Sequence, residues 1–299
     1  MNWDHAVESL VTVRDLIRYA VSTFTDQNVF FGHGYPGPVE EASYLVLFAL
    51  GLPHQQRDLW LDARVLKEER HRALELVQRR IDERTPAAYL TREAWLGPFR
   101  FYVDERVIVP RSFLADVLQE GLEPWIEDFD ALTRVADICT GGGSLAILLA
   151  LRCPQAHVDA VDLSRDALAV ATKNVGDYGL ENRIELHCGD LFEGLERHAY
   201  DLIISNPPYV DEAAMAVLPP EYRKEPAMAL GSGSDGLDHA RRLIENAAHY
   251  LKPGGILVVE IGHQRLRLEA AFPHIPWVWL DLPGGDGYVF LVRREDLMV

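Results

Sequence analysis

The sequence predicts an α/β protein, a doubly wound parallel sheet preceded by a small helical domain. Three observations predict it. Beyond about residue 112 short apolar runs alternate with helical stretches, the pattern of strand–helix–strand units. Two of those runs stop abruptly, one at a glycine cluster and one at consecutive prolines, as strands do where a sheet presents its carboxyl edge. The first 85 or so residues show helical spacing only.

Taken in order, residues 10–24 place Leu10, Val13, Ile17, Val21 and Phe24 on one helical face, and residues 40–50 form a second such segment. Residues 67–85 form a charged amphipathic helix with Leu74, Val77 and Ile81 inward, stopped by Thr85-Pro86. Its charge run, 67–72, is a solvated face. Residues 89–109 alternate and carry aromatics, which predicts a β-hairpin turning at Gly97-Pro98. The expected domains are therefore 1–86 (helical), 87–111 (hairpin linker) and 112–299 (α/β). Within the last, strands fall at 135–139, 158–161, 183–187, 202–205 and 256–261, with helices at 145–151 and 237–251. A Pro- and Gly-rich stretch at 211–236 is too long for an ordinary loop. A terminal hairpin, 277–282 with 288–292, completes the sheet.

With 48% hydrophobic residues in 299, a sizeable core is available. No run of about eighteen apolar residues is present, which excludes a helical membrane span. The start, Met1-Asn2-Trp3-Asp4-His5, lacks the charged and apolar regions of a signal peptide. Cys139, Cys153 and Cys188 are odd in number and without metal-ligand spacing, so reduced thiols and a cytoplasmic protein are expected. Net charge is −17; residues 1–95 hold 14 acids and 11 bases, the remainder 32 and 18. The acidic α/β half repels a phosphate backbone and suits a basic protein partner. Nucleic acid is thus disfavoured as a direct partner.

Asn206-Pro207-Pro208-Tyr209 follows the strand at 202–205. Two prolines cannot continue a ladder. The chain leaves the sheet there with an Asn carboxamide, free backbone carbonyls and an aromatic ring. Two acceptors beside a ring face suit a planar NH2 group, an amide or amine nucleophile.

The second motif is Thr140-Gly141-Gly142-Gly143-Ser144 after the strand ending at Cys139. Glycines allow close approach of backbone to ligand, and the helix that follows offers unpaired N–H groups. Asp162, at the end of the next strand, is placed for ribose hydroxyls, against the alternative of capping a helix, which Ser164 also offers. Asp190 and Leu191, after a third strand, are placed to bracket an adenine, or to serve as an ordinary turn. Asp137 suits the amino group or bound waters of a methionine moiety, or a structural hydrogen bond. Gly141-x-Gly143-x-x-Ala146 with Asp162 also meets the dinucleotide fingerprint. S-adenosylmethionine is favoured over a nicotinamide cofactor by Asp137, by the third acid and by the amide site. Arg111 serves a carboxylate, a substrate backbone or a salt bridge, and Phe99 and Phe101 either roof the site or fill the core. No metal is expected.

These segments resemble the protein-(glutamine-N5) methyltransferase family over nearly the whole length. The likeness is closest to the branch that methylates the third large-subunit ribosomal protein. It is carried by Asn206-Pro207-Pro208-Tyr209, Phe31-Gly32-His33-Gly34, Ala88-Tyr89-Leu90-Thr91, the segment 101–112, Glu221-Tyr222-Arg223-Lys224-Glu225-Pro226 and Gly233-Ser234-Asp235-Gly236-Leu237. The release-factor branch usually has acidic residues where this chain has Ser112-Phe113-Leu114-Ala115. The resemblance implies a Rossmann-like, class I, S-adenosylmethionine-dependent methyltransferase. Asn206, Pro207, Pro208 and Tyr209 would hold a glutamine side chain. Asp137, Cys139, Thr140, Gly141, Gly142, Gly143, Asp162, Asp190, Leu191 and Asn206 would surround the cofactor. It also implies that the helical domain recognises a ribosomal protein, free or within a pre-ribosomal particle. The family usually has Gly at Cys139 and Ser or Thr at Gly142, so close approach is not expected at 139 and a hydroxyl is missing at 142. Rival expectations are the same chemistry on a release factor, adenine-N6 methylation of nucleic acid, a non-catalytic ribosome-assembly factor, and a dehydrogenase.

Overall fold

A computed structural model describes residues 3–298. By its internal contacts the chain divides into two units, 1–94 with 219–224, and 95–218 with 225–299.

The first unit is helical: α1 (Trp3–Ser9), α2 (Val13–Asp26), α3 (Pro38–Leu50), the short α4 (Arg57–Trp60), α5 (Lys67–Asp82) and α6 (Ala87–Thr91). Thr12 starts α2 with a capping box: its hydroxyl accepts from Asp15 N while Asp15 Oδ2 accepts from Thr12 N. Leu10 therefore lies before the helix the periodicity includes it in. Leu16, Ala20 and Phe24 of α2 are buried, as are Tyr44 and Leu45 of α3 and Leu74 and Val77 of α5. At the centre lies an ion cluster. Arg80, 0% exposed, donates to Glu41 (2.5 Å) and to Glu221 (3.3 Å), and Arg84 also reaches Glu221 (3.4 Å). Glu221 thus draws 219–224, far along the chain, into this unit.

β1 (Glu93–Leu96) and β2 (Phe99–Tyr102) pair as a two-stranded sheet around Gly97-Pro98. This hairpin is shorter than the alternation over 89–109 predicts. Pro86 precedes a helical turn at 87–91, and Arg92, with φ +57°, reverses the chain before β1 begins.

The second unit continues with α7 (Leu114–Glu120), β3 (Arg134–Ile138), α8 (Ser144–Arg152), β4 (His157–Asp162), α9 (Arg165–Asp177), β5 (Ile184–Cys188), β6 (Tyr200–Ser205), α10 (Glu212–Ala216), α11 (Asp238–Ala247), β7 (Leu251–Glu260), α12 (Arg265–Ala271), β8 (Val278–Trp279) and β9 (Val289–Arg293). The sheet order is β5-β4-β3-β6-β7-β9-β8. The first four pairings are parallel, and β9 is antiparallel to both β7 and β8. Its two faces are apolar. Leu145, Leu149, Val158, Leu202 and Val258 belong to one core cluster, and Ile138, Val161, Ile203, Leu243 and Val259 to the other. Strand order reverses between β3 and β6, the switch point at whose carboxyl side open sheets bind ligands.

Candidate active site

Two motifs meet at that switch point because their strands are neighbours: Ile138 pairs with Ser205, and the Ser205 hydroxyl donates to the Ile138 carbonyl at 2.6 Å. A cleft opens beside them. It is lined by Cys139, Thr140, Gly141, Gly142, Asp162, Asp190, Leu191, Asn206 and Pro208 among the predicted residues, and by Arg106, Arg111, Met228 and His239 besides.

The loop after β3 turns immediately at Cys139, whose φ is +62°. An L-residue pays roughly 1–2 kcal/mol in this left-handed region, so the position favours glycine by conformation. At Gly142 a Cβ would rest at 3.5–3.7 Å from Val170, Val107 and Asn174, in ordinary van der Waals contact. Gly141, φ +56°, would place a Cβ within 4 Å of nothing; its open side is where a ligand can come against backbone. Asn174, 1% exposed, clamps the loop from below. It donates to Gly142 O (2.8 Å) and Tyr102 O (3.0 Å) and accepts from Tyr102 N (2.8 Å).

Asp137 lies under the loop and does not line the cleft. Its Oδ2 accepts from the Thr140 hydroxyl at 2.6 Å, while Oδ1 is buried without a partner. Burial pushes its carboxyl up to about 7, against the hydrogen bond from Thr140. Asp162 accepts from Gly141 N (2.8 Å) and Ser164 N (2.9 Å), and burial raises its pKa. Ser164, not Asp162, caps α9, through Ala167 N at 3.1 Å. Each carboxylate oxygen of Asp162 keeps capacity for a further donor, and the residue lines the cleft. Asp190 is exposed and held by Arg242 at 2.8 Å.

The Asn206 carboxamide makes no hydrogen bond among the described residues and lines the cleft. Pro207 and Pro208 are buried. Tyr209 is fixed from three directions. Its hydroxyl donates to Glu260 (3.3 Å), its carbonyl accepts from Gln264 (3.0 Å), and its ring covers Gly262, where a Cβ would come within 2.8 Å of Cε2. Glu260, at the end of β7 and 2% exposed, also accepts from Ser112 Oγ (2.7 Å) and Phe113 N (2.9 Å). Burial pushes its carboxyl up to about 6.

Arg111 makes a bidentate pair with buried Glu225, at 2.5 and 2.6 Å, and Glu225 also accepts from Val109 N (2.9 Å). Of the alternatives for Arg111, the salt bridge is the one observed, and it ties the returning 225–229 segment to the cleft wall. Asp104 is held down to about 2 by the Arg106 guanidinium, which it binds at 2.8 and 2.6 Å. Phe101 is 1% exposed and stacks on Tyr178; with Phe99 it belongs to the core and not to a roof over the cleft.

The loop 211–230 leaves and returns at one place: Val210 N donates to Leu230 O (2.8 Å) and Ser232 N to Val210 O (2.9 Å). The partners of Glu225 and two of those of Glu260, Ser112 and Phe113, are more than a hundred positions away, so no local pattern could reveal them.

Fold, switch point and paired motifs define a class I methyltransferase. The Methyltransferase small domain family matches residues 110–218. A protein of Neisseria meningitidis serogroup B named "Ribosomal protein uL3 glutamine methyltransferase" is 53% identical over 99% of this chain and 97% of its own length. One of the same name from Bordetella pertussis is 54% identical over 97% of each. The chain belongs to the family of these uL3 glutamine methyltransferases. Among solved structures, the hMettl16 catalytic domain in complex with the MAT2A 3'UTR hairpin 6 superposes with a TM-score of 0.50 at 17% identity, covering 78% of this chain and 84% of that one. That likeness is one of fold.

Proposed function

We propose that this protein transfers a methyl group from S-adenosylmethionine to the side-chain amide nitrogen (N5) of a glutamine in ribosomal protein uL3. The observation that carries the reading is the unpartnered Asn206 carboxamide, set at the end of β6 directly beside the glycine loop of β3. Full-length relatives bearing the uL3 name support the acceptor.

The residues present fit the cofactor. Asp162 offers lone pairs to ribose hydroxyls, Gly141 leaves room against the backbone, and Asp137, beneath the loop, holds the cleft-lining Thr140 while its buried Oδ1 suits a bound water. Asp190 and Leu191 flank the adenine end. S-adenosylmethionine supplies an electrophilic methyl on a sulfonium, already a good leaving group.

An amide nitrogen is a weak nucleophile because its lone pair is delocalised into the carbonyl. The protein's contribution is therefore positioning. Asn206 Oδ1 and the Pro207 carbonyl accept the two N–H bonds, aim the nitrogen at the methyl and stabilise the positive charge that grows on it. Tyr209, held by Glu260 and Gly262, packs against the planar amide. Pro208 closes the wall of the cleft. The helical unit, 1–86 with the linker 87–111, recognises the acceptor protein, and 112–299 performs the transfer. The reaction takes place in the cytoplasm, on free uL3 or on a pre-ribosomal particle. The net negative charge of the chain favours a basic protein over a nucleic acid as acceptor.

Radiolabelled methyl transfer tests this directly. Purified enzyme is offered uL3, a class-one release factor and total RNA in separate reactions. Label on uL3 alone is expected. Label on the release factor would move the chain to the other substrate, and label on RNA would overturn the amide reading.

A further inference from the structure

His239 opens the first full turn of α11 and lines the cleft, yet nothing in the sequence marks it as a ligand-binding residue. Its ring is oriented by Ser232. That serine is 1% exposed; its Oγ accepts from the His239 backbone N–H at 3.1 Å and lies 2.8 Å from His239 Nδ1. A buried hydroxyl needs an acceptor for its own proton. Among the described residues Nδ1 is the one within reach. The serine therefore donates to Nδ1, and the neutral ring carries its proton on Nε2. Burial and the nearby Arg242 lower the His239 pKa, which favours that neutral ring.

The Nε2–H is consequently a donor on a cleft wall with no partner among the described residues. Its neighbourhood is specific. Arg242, three positions on and thus on the same helical face, binds Asp190 at 2.8 Å. One face of α11 so brings a neutral N–H donor next to a carboxylate acceptor, with Leu191, Met228 and Ala229 supplying apolar wall in the same cleft. A flat heteroaromatic base with a ring-nitrogen acceptor and an exocyclic amine matches that set.

We propose that His239 is a base-recognising residue, whose Nε2–H donates to a ring nitrogen of the cofactor's adenine. This rests on the reading of the cleft as the S-adenosylmethionine site. Ser232 acts through His239 as a positioning residue, since it fixes which ring nitrogen carries the proton.

Calorimetric titration with S-adenosylhomocysteine tests it on the full chain. His239→Leu is expected to weaken binding about tenfold, the effect of leaving a buried acceptor unpaired, while His239→Gln, which keeps an N–H donor, stays within about threefold. In wild-type protein, one of the 1-deaza, 3-deaza and 7-deaza analogues of S-adenosylhomocysteine should lose the same factor. Against His239→Leu that analogue should lose nothing further. Three unaffected analogues, or His239→Leu binding as wild type does, would overturn the assignment. If His239→Leu does not fold, the wild-type analogue series decides alone. Absence of any S-adenosylhomocysteine binding by wild-type protein would instead remove the cofactor reading itself.

Discussion

Replacing Glu260 by glutamine probes the acid that joins the Ser112-Phe113 segment to Tyr209. In the wild-type protein Glu260 is 2% exposed and accepts from Ser112 Oγ, Phe113 N and the Tyr209 hydroxyl. Its pKa is raised from 4.5 to about 6, by burial first of all. A carboxyl whose folded pKa is raised binds its proton more tightly when folded. The folded state is therefore favoured below pH 4.5 and loses that advantage as pH rises through about 6. A shift from 4.5 to about 6 corresponds to about 2 kcal/mol. Glutamine has no such titration. Its oxygen must face Phe113 N, a pure donor, which leaves its NH2 toward Tyr209, whose hydroxyl then accepts. Urea unfolding at pH 4.5 and pH 7.5 gives the assay. The wild type should lose about 2 kcal/mol more than Glu260→Gln across that interval, because other titrating groups are common to both. Equal pH dependence in the two proteins would refute the buried, hydrogen-bonded carboxylate as described. Turnover should also fall in the variant while S-adenosylhomocysteine affinity is kept, since Tyr209 and not the cofactor loop is disturbed.

Asn206→Ala should leave S-adenosylhomocysteine affinity within about twofold and lower turnover about 100-fold or more, by removing a positioned charge-stabilising group; equal losses in both would misplace the residue. Asp162→Ala should weaken cofactor binding by about 1–3 kcal/mol, the cost of unpaired polar partners, and unchanged affinity in calorimetry would contradict the ribose assignment. Gly262→Ala, at φ +53° and with its Cβ 2.8 Å from the Tyr209 ring, should lower stability by about 1–3 kcal/mol and reduce kcat more than cofactor affinity. A wild-type kcat would argue against the Tyr209 platform. Arg80→Met strands Glu41 and Glu221 without their shared cation, so denaturant melts should show about 3–5 kcal/mol lost. Undiminished stability would mean that the cluster is not what holds 219–224 in the helical unit.

Much of the second unit was legible because its signals are local. Short, largely apolar runs, broken by Asp137 in β3 and Asp159 in β4, announced β3, β4 and β6, and a proline pair or a glycine cluster can end a strand in few ways. The helix 67–85 was legible for the same reason, its Leu74, Val77 and Ile81 recurring on one face; the structure ends it at Asp82. What stayed hidden depends on distant partners. The loop 211–236 reads as irregular from its prolines and glycines. It contains α10, capped by Asp211 through Ala214 N at 2.8 Å, and it sends Glu221 to Arg80, 141 positions away. Glu260 carries no local signal, since Ser112 and Tyr209, whose hydroxyls it binds, lie 148 and 51 positions away. Cys139 is a different case. A cysteine in place of glycine says that close approach is not essential there, but it does not disclose the left-handed backbone, φ +62°, that the position also adopts.

The central claim is that Asn206 and its neighbours present an amide nitrogen to the methyl donor. Tandem mass spectrometry of uL3 after incubation with S-adenosylmethionine, using wild-type enzyme and Asn206→Ala in parallel, tests it most directly. One methyl on the side-chain nitrogen of a single glutamine, absent with Asn206→Ala, is the predicted result. A methyl on lysine, arginine or a backbone amine, or an undiminished yield from Asn206→Ala, would contradict it.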